Sequence, residues 1–152
     1  MKQAHFEKYL SDRYELEIIE SDNGEIIRGR LVPRDDRENI IDIAGAIPRF
    51  VRADNYADNF GLQWNKFKST QLDSVTGLRL TANRFWANTK WVPEELFGKT
   101  ILEVGSGAGR FTELLLQAGA KVVTFDYSKA VDANFDNNAK KRGSFCFPRR
   151  PL

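Results

Sequence analysis

A strand, a glycine turn, a helix and a second strand ending in a carboxylate are written consecutively in this chain. Residues 101–111 read Ile-Leu-Glu-Val-Gly-Ser-Gly-Ala-Gly-Arg-Phe, and Val122-Val123-Thr124-Phe125-Asp126 follows at the spacing of another strand. Two strands joined through a helix pair in parallel, so this order constrains the fold more than any other feature. It constrains the ligand too. A glycine-rich turn entering a helix N-terminus brings backbone N–H groups close to a bound molecule, and a carboxylate about 20 residues on can accept hydrogen bonds from a ribose.

Glycine spacing narrows the ligand. A dinucleotide fingerprint requires G-x-G-x-x-G, and Arg110 stands where the third glycine would fall. The pattern here is acidic-x-G-x-G-x-G. With Glu103, Gly105, Gly107 and Gly109 in that pattern, and Asp126 ending the next strand, the segment resembles the class I S-adenosylmethionine (SAM) dependent methyltransferases. The resemblance implies that Glu103, Gly105, Ser106, Gly107 and Gly109 form the loop beside the amino acid part of SAM. It likewise makes Asp126 the ribose partner and sets Tyr127 near the adenine.

Elementary chemistry points the same way. Gly105, Gly107 and Gly109 can adopt positive φ and carry no Cβ to hold a ligand off the backbone. A carboxylate just before the turn attracts a ligand bearing an ammonium and a sulfonium, whereas it repels a pyrophosphate. A nicotinamide oxidoreductase is disfavoured by Arg110 and by the missing nicotinamide half.

Composition excludes other classes. No apolar run approaches the roughly 20 residues needed to span a bilayer, and the first residues lack the apolar core of a signal peptide; a soluble cytoplasmic protein is expected. Cys146 is the only cysteine and His5 the only histidine, so no metal site is expected and Cys146 reads as an incidental thiol. The net charge of +2 is misleading. Five of the 23 basic residues, Lys140, Lys141, Arg142, Arg149 and Arg150, fall in residues 140–152 without an acid among them, leaving 18 to set against 21 acidic residues. The body is mildly acidic, which argues against a nucleic-acid partner.

Residues 1–54 read as a small β-rich unit. Tyr14 to Ile19 alternates with Leu16 and Ile18 on one face, Asp22-Asn23-Gly24 is a hairpin turn, Glu25 to Val32 returns, and a further strand is expected at Asn39 to Ile43. The segments Glu25–Leu31 and Ala44–Val51 resemble the zinc-ribbon-like domain found ahead of some bacterial methyltransferases. That domain carries cysteine pairs which this chain lacks, so the hairpin must be held by packing.

Residues 55–97 read as a helical connection. Tyr56, Phe60, Trp64 and Phe67 fall on one helix face, a polar loop spans Ser69 to Gly77, a helix spans about Thr81 to Lys90 with Phe85 and Trp86, and Pro93 starts a short turn ending at Gly98. The run from Asn55 to Trp64, with Thr70-Gln71-Leu72-Asp73, resembles the segment ahead of the glycine motif in the same bacterial group. The aromatics either pack on the core or close over SAM or the methyl acceptor; Gln63, Asp73 and Arg84 are either polar site residues or ordinary surface groups.

Residues 98–139 read as the first strand-helix-strand-helix part of a Rossmann-like methyltransferase domain, giving an α+β N-terminal unit followed by an incomplete α/β domain. Strands are expected at Thr100 to Val104 and Lys121 to Phe125, and helices at Ala108 to Ala118, ended by Gly119, and from an N-cap at Ser128 to Ala139. Residues 140–152 show no amphipathic period and read as a basic irregular tail, with the expected third strand absent. Two readings of this ending stand. One is a truncated or frameshifted product of a longer methyltransferase; the other is a short protein whose tail binds a partner or an acidic surface. Loss of the inner neighbour of Thr100–Val104 predicts either a homodimer pairing those edges or an aggregation-prone monomer. The sequence thus implies a SAM-dependent methyltransferase or a shortened form of one, with unknown methyl acceptor and no catalytic residue of its own in view. The rival is a non-catalytic interaction protein built on the same scaffold.

Overall fold

The computed structural model describes residues 1–51 and 69–139, and the backbone of residues 145–146. Its contacts divide into two compact units, one built on Met1–Arg52 and the other on Ala53–Arg149. The expected aromatic face of Tyr56, Phe60, Trp64 and Phe67, with Gln63, lies outside the described residues.

The first unit opens with helix α1 (Gln3–Tyr9), which sequence patterning did not separate from the β-rich stretch; it buries Phe6. Strands β1 (Tyr14–Asp22) and β2 (Glu25–Pro33) pair antiparallel. Asn23 and Gly24 join them at φ of 46° and 77°, the left-handed pair whose twist matches the flanking strands. Strand β3 (Ile41–Ala44) begins two residues later than expected, because Asp36 folds Glu38 and Asn39 into a turn. Strand β4 (Ile47–Pro48) completes a sheet of order β1-β2-β3-β4.

The expected inward face of β1 is only partly realised. The ladder slips on both sides of Glu20, and Ile18 and Ile19 are 47% and 56% exposed. A bulge resets the two-residue period at that point, so alternation in sequence no longer tracks one face. Ile26, Leu31 and Val32 of β2, with Phe6, Tyr14, Ile43 and Ile47, make the buried core instead. Tyr14 meets Phe50 edge to face at 6.0 Å. Burial, with Lys2, the N-terminal ammonium and Lys8 adding, holds the His5 imidazole down at about 4.

In the second unit, a single helical turn, α2 (Asp73–Thr76), interrupts the stretch read as a polar loop. Leu72, 1% exposed, anchors it, and Gly77 ends it at φ 71°. Helix α3 (Leu80–Thr89) follows. Asp73 accepts from the backbone N–H groups of Thr81 and Ala82 at 3.1 and 2.8 Å, satisfying the first turn of α3. That gives Asp73 a structural role; Arg84 is an exposed residue of α3. A 3-10 turn at Pro93–Leu96 leads to Gly98.

Strands β5 (Thr100–Val104) and β6 (Lys121–Phe125) have the expected bounds and pair in parallel from Thr100↔Lys121 to Val104↔Phe125. Residues 145–146, read as irregular tail, form β7 (Phe145–Cys146), parallel to β6 on its other side, giving the order β5-β6-β7. An apolar run of three residues is too short to show a period, so this strand is visible only once the free edge of β6 is there to receive it. Helix α4 (Arg110–Gln117) starts two residues later than expected because Ser106 to Gly109 close a turn, Gly109 N–H donating to the Ser106 carbonyl at 3.0 Å. Its end is a Schellman motif: Gly119 donates to Leu116 and Ala120 to Leu115.

Helix α5 (Ala130–Asn134) widens into a π turn at Phe135–Ala139 rather than continuing as α-helix to Ala139. Leu96, Leu115, Ala120 and Val122 form the apolar core, with Phe85 and Trp86 packed against it. Leu102 and Val104, on the other face of β5, are 63% and 60% exposed. Among the described residues, no helix is long and apolar enough to cross a membrane.

Candidate ligand site at the glycine turn

The turn between β5 and α4 is built by backbone bonds to the end of β6. Gly105 and Ser106 N–H both donate to the Phe125 carbonyl, at 2.9 and 3.2 Å, which locks the turn to the neighbouring strand. Gly107 N–H donates to Asp126 Oδ2 at 2.7 Å. Asp126 Oδ1 accepts from the N–H and hydroxyl of Ser128 at 2.8 and 2.7 Å. A carboxylate offers about four acceptor positions, so one remains for an incoming donor. Ser128 Oγ in turn accepts from Ala130 N–H at 3.1 Å, capping α5.

The three glycines divide by what lies beyond them. All have positive φ, at 77° for Gly105, 53° for Gly107 and 86° for Gly109. A Cβ at Gly105 or Gly107 would meet nothing within 4 Å among the described residues, so these two leave room for a ligand. At Gly109 a Cβ would overlap the carboxamides of Asn134 and Asn138. The expectation that its missing Cβ makes room for a ligand is therefore corrected: the protein's own side chains use that room.

Glu103 projects from β5 under α4, where Thr112 Oγ1 donates to its Oε2 at 2.5 Å. Among the described residues Ser106 Oγ is buried without a hydrogen-bond partner, and the Glu103 Oε1 and Thr124 Oγ1 atoms are buried with none but each other in reach. Burial raises the Glu103 carboxyl above the usual carboxylate range; the Thr112 and Thr124 hydroxyls act in the opposite direction, while the charge of Asp126 adds to the rise. Tyr127 is 40% exposed beside Asp126. Arg110 donates to Gln71 Oε1 at 3.4 Å and lies over the Phe111 ring at 4.6 Å, away from any role as a third glycine.

Sequence reasoning missed the layer behind the turn. Asn137 Nδ2 donates to the Ala108 carbonyl and Asn138 Nδ2 to the Gly109 carbonyl, each at 2.9 Å. Asn138 also donates to Asn134 Oδ1 at 2.8 Å, and Asn134 Nδ2 to Thr112 Oγ1 at 2.9 Å. The available signal was three asparagines at i, i+3 and i+4, one helix face, in a segment whose apolar residues are few. A cleft of about 460 Å³ lies at the other end of α4, against Trp86, Leu114 and Ala118; of the expected site residues, Asp73 is in its described lining and the residues of the glycine turn are not.

These features can hold a ligand with a small or extended backbone-hugging part over Gly105 and Gly107 and a hydroxyl donor at Asp126. The first N–H groups of α4 have no acceptor within the helix and face the same end. Comparison with known proteins adds a match to the family model described as a methyltransferase domain, over residues 102–148. The matched stretch begins inside β5 and passes through the glycine turn, β6 and β7. It supports a SAM-dependent methyltransferase domain across those residues. No curated protein and no solved structure matches the chain.

Proposed function

We propose that the glycine turn binds SAM and that the chain is a methyltransferase or a form of one. The observation that carries this reading is the pairing of open, left-handed glycines with a strand-end carboxylate: among the described residues nothing lies where a Cβ of Gly105 or Gly107 would point, and Asp126 Oδ2 sits 2.7 Å from Gly107 N. The residues present fit the ligand. Gly105, Ser106 and Gly107 would lie along its amino acid part, with Glu103 beneath them, and Asp126 would take a ribose hydroxyl with its remaining acceptor position, beside Tyr127. SAM supplies a methyl group on an already activated sulfonium. What the chain must do is align and desolvate, so no nucleophile of its own is required.

Titration calorimetry of the full chain with SAM and S-adenosylhomocysteine tests this. Saturable binding is expected, weakened about tenfold by Asp126→Ala, the loss of one charged hydrogen bond. Gly107→Val should weaken it further, and NAD should leave the melting temperature unchanged where SAM raises it. Absence of binding by either ligand at millimolar concentration overturns the reading.

A second reading, a non-catalytic interaction protein or homodimer, is favoured by one observation. Strand β5 ends the described sheet, and Leu102 and Val104 are exposed there. Sedimentation of the full chain tests the homodimer: a dimer dispersed by Leu102→Lys supports association through β5, and a monomer at all concentrations rejects it.

A further inference from the structure

The asparagines of the π turn are too deeply placed to be surface groups. Asn134, Asn137 and Asn138 are 0%, 7% and 5% exposed, and they donate to the turn, to one another and to Thr112. Burying a carboxamide costs free energy unless its groups are paired, so three in five residues require a structural return. That return falls on two consecutive carbonyls, Ala108 and Gly109, where the glycine turn becomes helix α4.

In a trans peptide the C=O and the following N–H point opposite ways. Holding the Ala108 carbonyl back against Asn137 turns the Gly109 N–H to the Ser106 carbonyl, which it reaches at 3.0 Å. The Gly109 carbonyl accepts from Asn138 as well as from Glu113 N–H, and holding it inward turns the Arg110 N–H outward. From Asn138 the donors run in one direction, through Asn134 and Thr112 to the Glu103 carboxylate, and such chains strengthen each member. The π turn contributes the spacing, since its extra residue per turn lets 137 and 138 both reach the loop. Gly109 completes the fit, because any Cβ would occupy the space of the Asn134 and Asn138 carboxamides.

We infer that Asn134 and Asn138 are positioning residues that hold the glycine turn in its ligand-ready shape. They act through Gly109 and Thr112 and touch no ligand themselves; the consequence for affinity rests on the SAM reading, whereas the consequence for the turn does not.

Asn138→Asp and Asn138→Ala are compared with Leu115→Ala, which opens a cavity in the apolar core further along α4. Amide hydrogen exchange over residues 105–111 should quicken about tenfold or more in both Asn138 variants. With Leu115→Ala it should change no more there than in the rest of the unit. S-adenosylhomocysteine binding should weaken about tenfold with Asn138→Asp and stay within about twofold with Leu115→Ala, even where Leu115→Ala is the less stable. Unchanged exchange in the turn overturns the inference whether or not the chain binds the ligand. Quickened exchange with wild-type affinity overturns it as well, because the asparagines then hold a turn whose shape the ligand does not need. Quickened exchange in a chain that binds neither SAM nor its demethylated product supports the positioning role and removes the SAM reading.

Discussion

The two units bury different things. Among the described residues, the buried side chains of the first unit are apolar, Phe6, Tyr14, Ile26, Leu31, Ile43, Ile47 and their neighbours, and its buried charge is the Met1 ammonium, which donates to the Ile26 and Ala46 carbonyls. The buried polar residues among those described, Ser106, Thr112, Thr124, Asn134, Asn137 and Asn138, all lie in the second unit, around one turn. An apolar core asks only for shape and volume, whereas each buried polar group must be matched or costs about 1–3 kcal/mol. A chain that concentrates such groups at one place has spent stability on the geometry of that place. The first unit reads as scaffold; the second carries the candidate site.

The largest test of this contrast is Gly109→Ala. Left-handed strain of about 1–2 kcal/mol combines with displacement of the Asn134 and Asn138 pair, and a loss of about 4 kcal/mol is expected in denaturant unfolding. Gly105→Ala, at a similar φ but facing open space, should lose only the strain of about 1–2 kcal/mol. Equal losses would mean that the asparagine layer is not tightly held.

Leu31→Ala probes the other side. Leu31 is 0% exposed, and its truncation should cost about 3 kcal/mol in the first unit. S-adenosylhomocysteine affinity should stay as in the parent chain, and a parallel loss of affinity would break the division between scaffold and site.

Acid and base should separate the units. The His5 pKa is lowered from 6.5 to about 4, so the unfolded chain binds more protons in that window; the stability His5 contributes is present above pH 6.5 and is lost as pH falls through about 4. The Glu103 pKa is raised, so the folded state keeps a proton that the unfolded state has released, and stability falls as pH rises above the ordinary carboxylate value of 4.5. His5→Gln should flatten the first dependence and Glu103→Gln the second, read as melting temperature against pH. The same slope in both variants would contradict the assignment.

The smallest expected effect is at the exposed face of β5. Leu102→Thr should change stability by less than about 0.5 kcal/mol in a monomer, and a larger loss that depends on protein concentration would mark a covered face.

Legibility followed the same contrast. Strands β5 and β6 were readable to the residue, because a glycine turn and Gly119 bound them with unambiguous breaks. The hairpin turn at Asn23-Gly24 was readable for the same reason, yet the inward face of β1 was not, since the bulge beside Glu20 is set by pairing with β2. Helix α1 escaped because one buried residue, Phe6, gives no period. At the site, Glu103, Gly105, Gly107 and Asp126 stood out as a linear motif. The bond from Asp73 to the first turn of α3 was not legible, because it depends on that helix being in place.

By itself, the sequence determined the order strand, glycine turn, helix, strand, carboxylate, and with it the parallel pairing of β5 with β6. Those are consequences of backbone freedom and connectivity, which neighbouring residues dictate. Only the tertiary structure decided what each glycine is for, that β7 joins β6, and that three asparagines stand behind the turn. These depend on groups some 20 to 30 positions apart meeting in space, and no local pattern of polarity or φ preference carries that information.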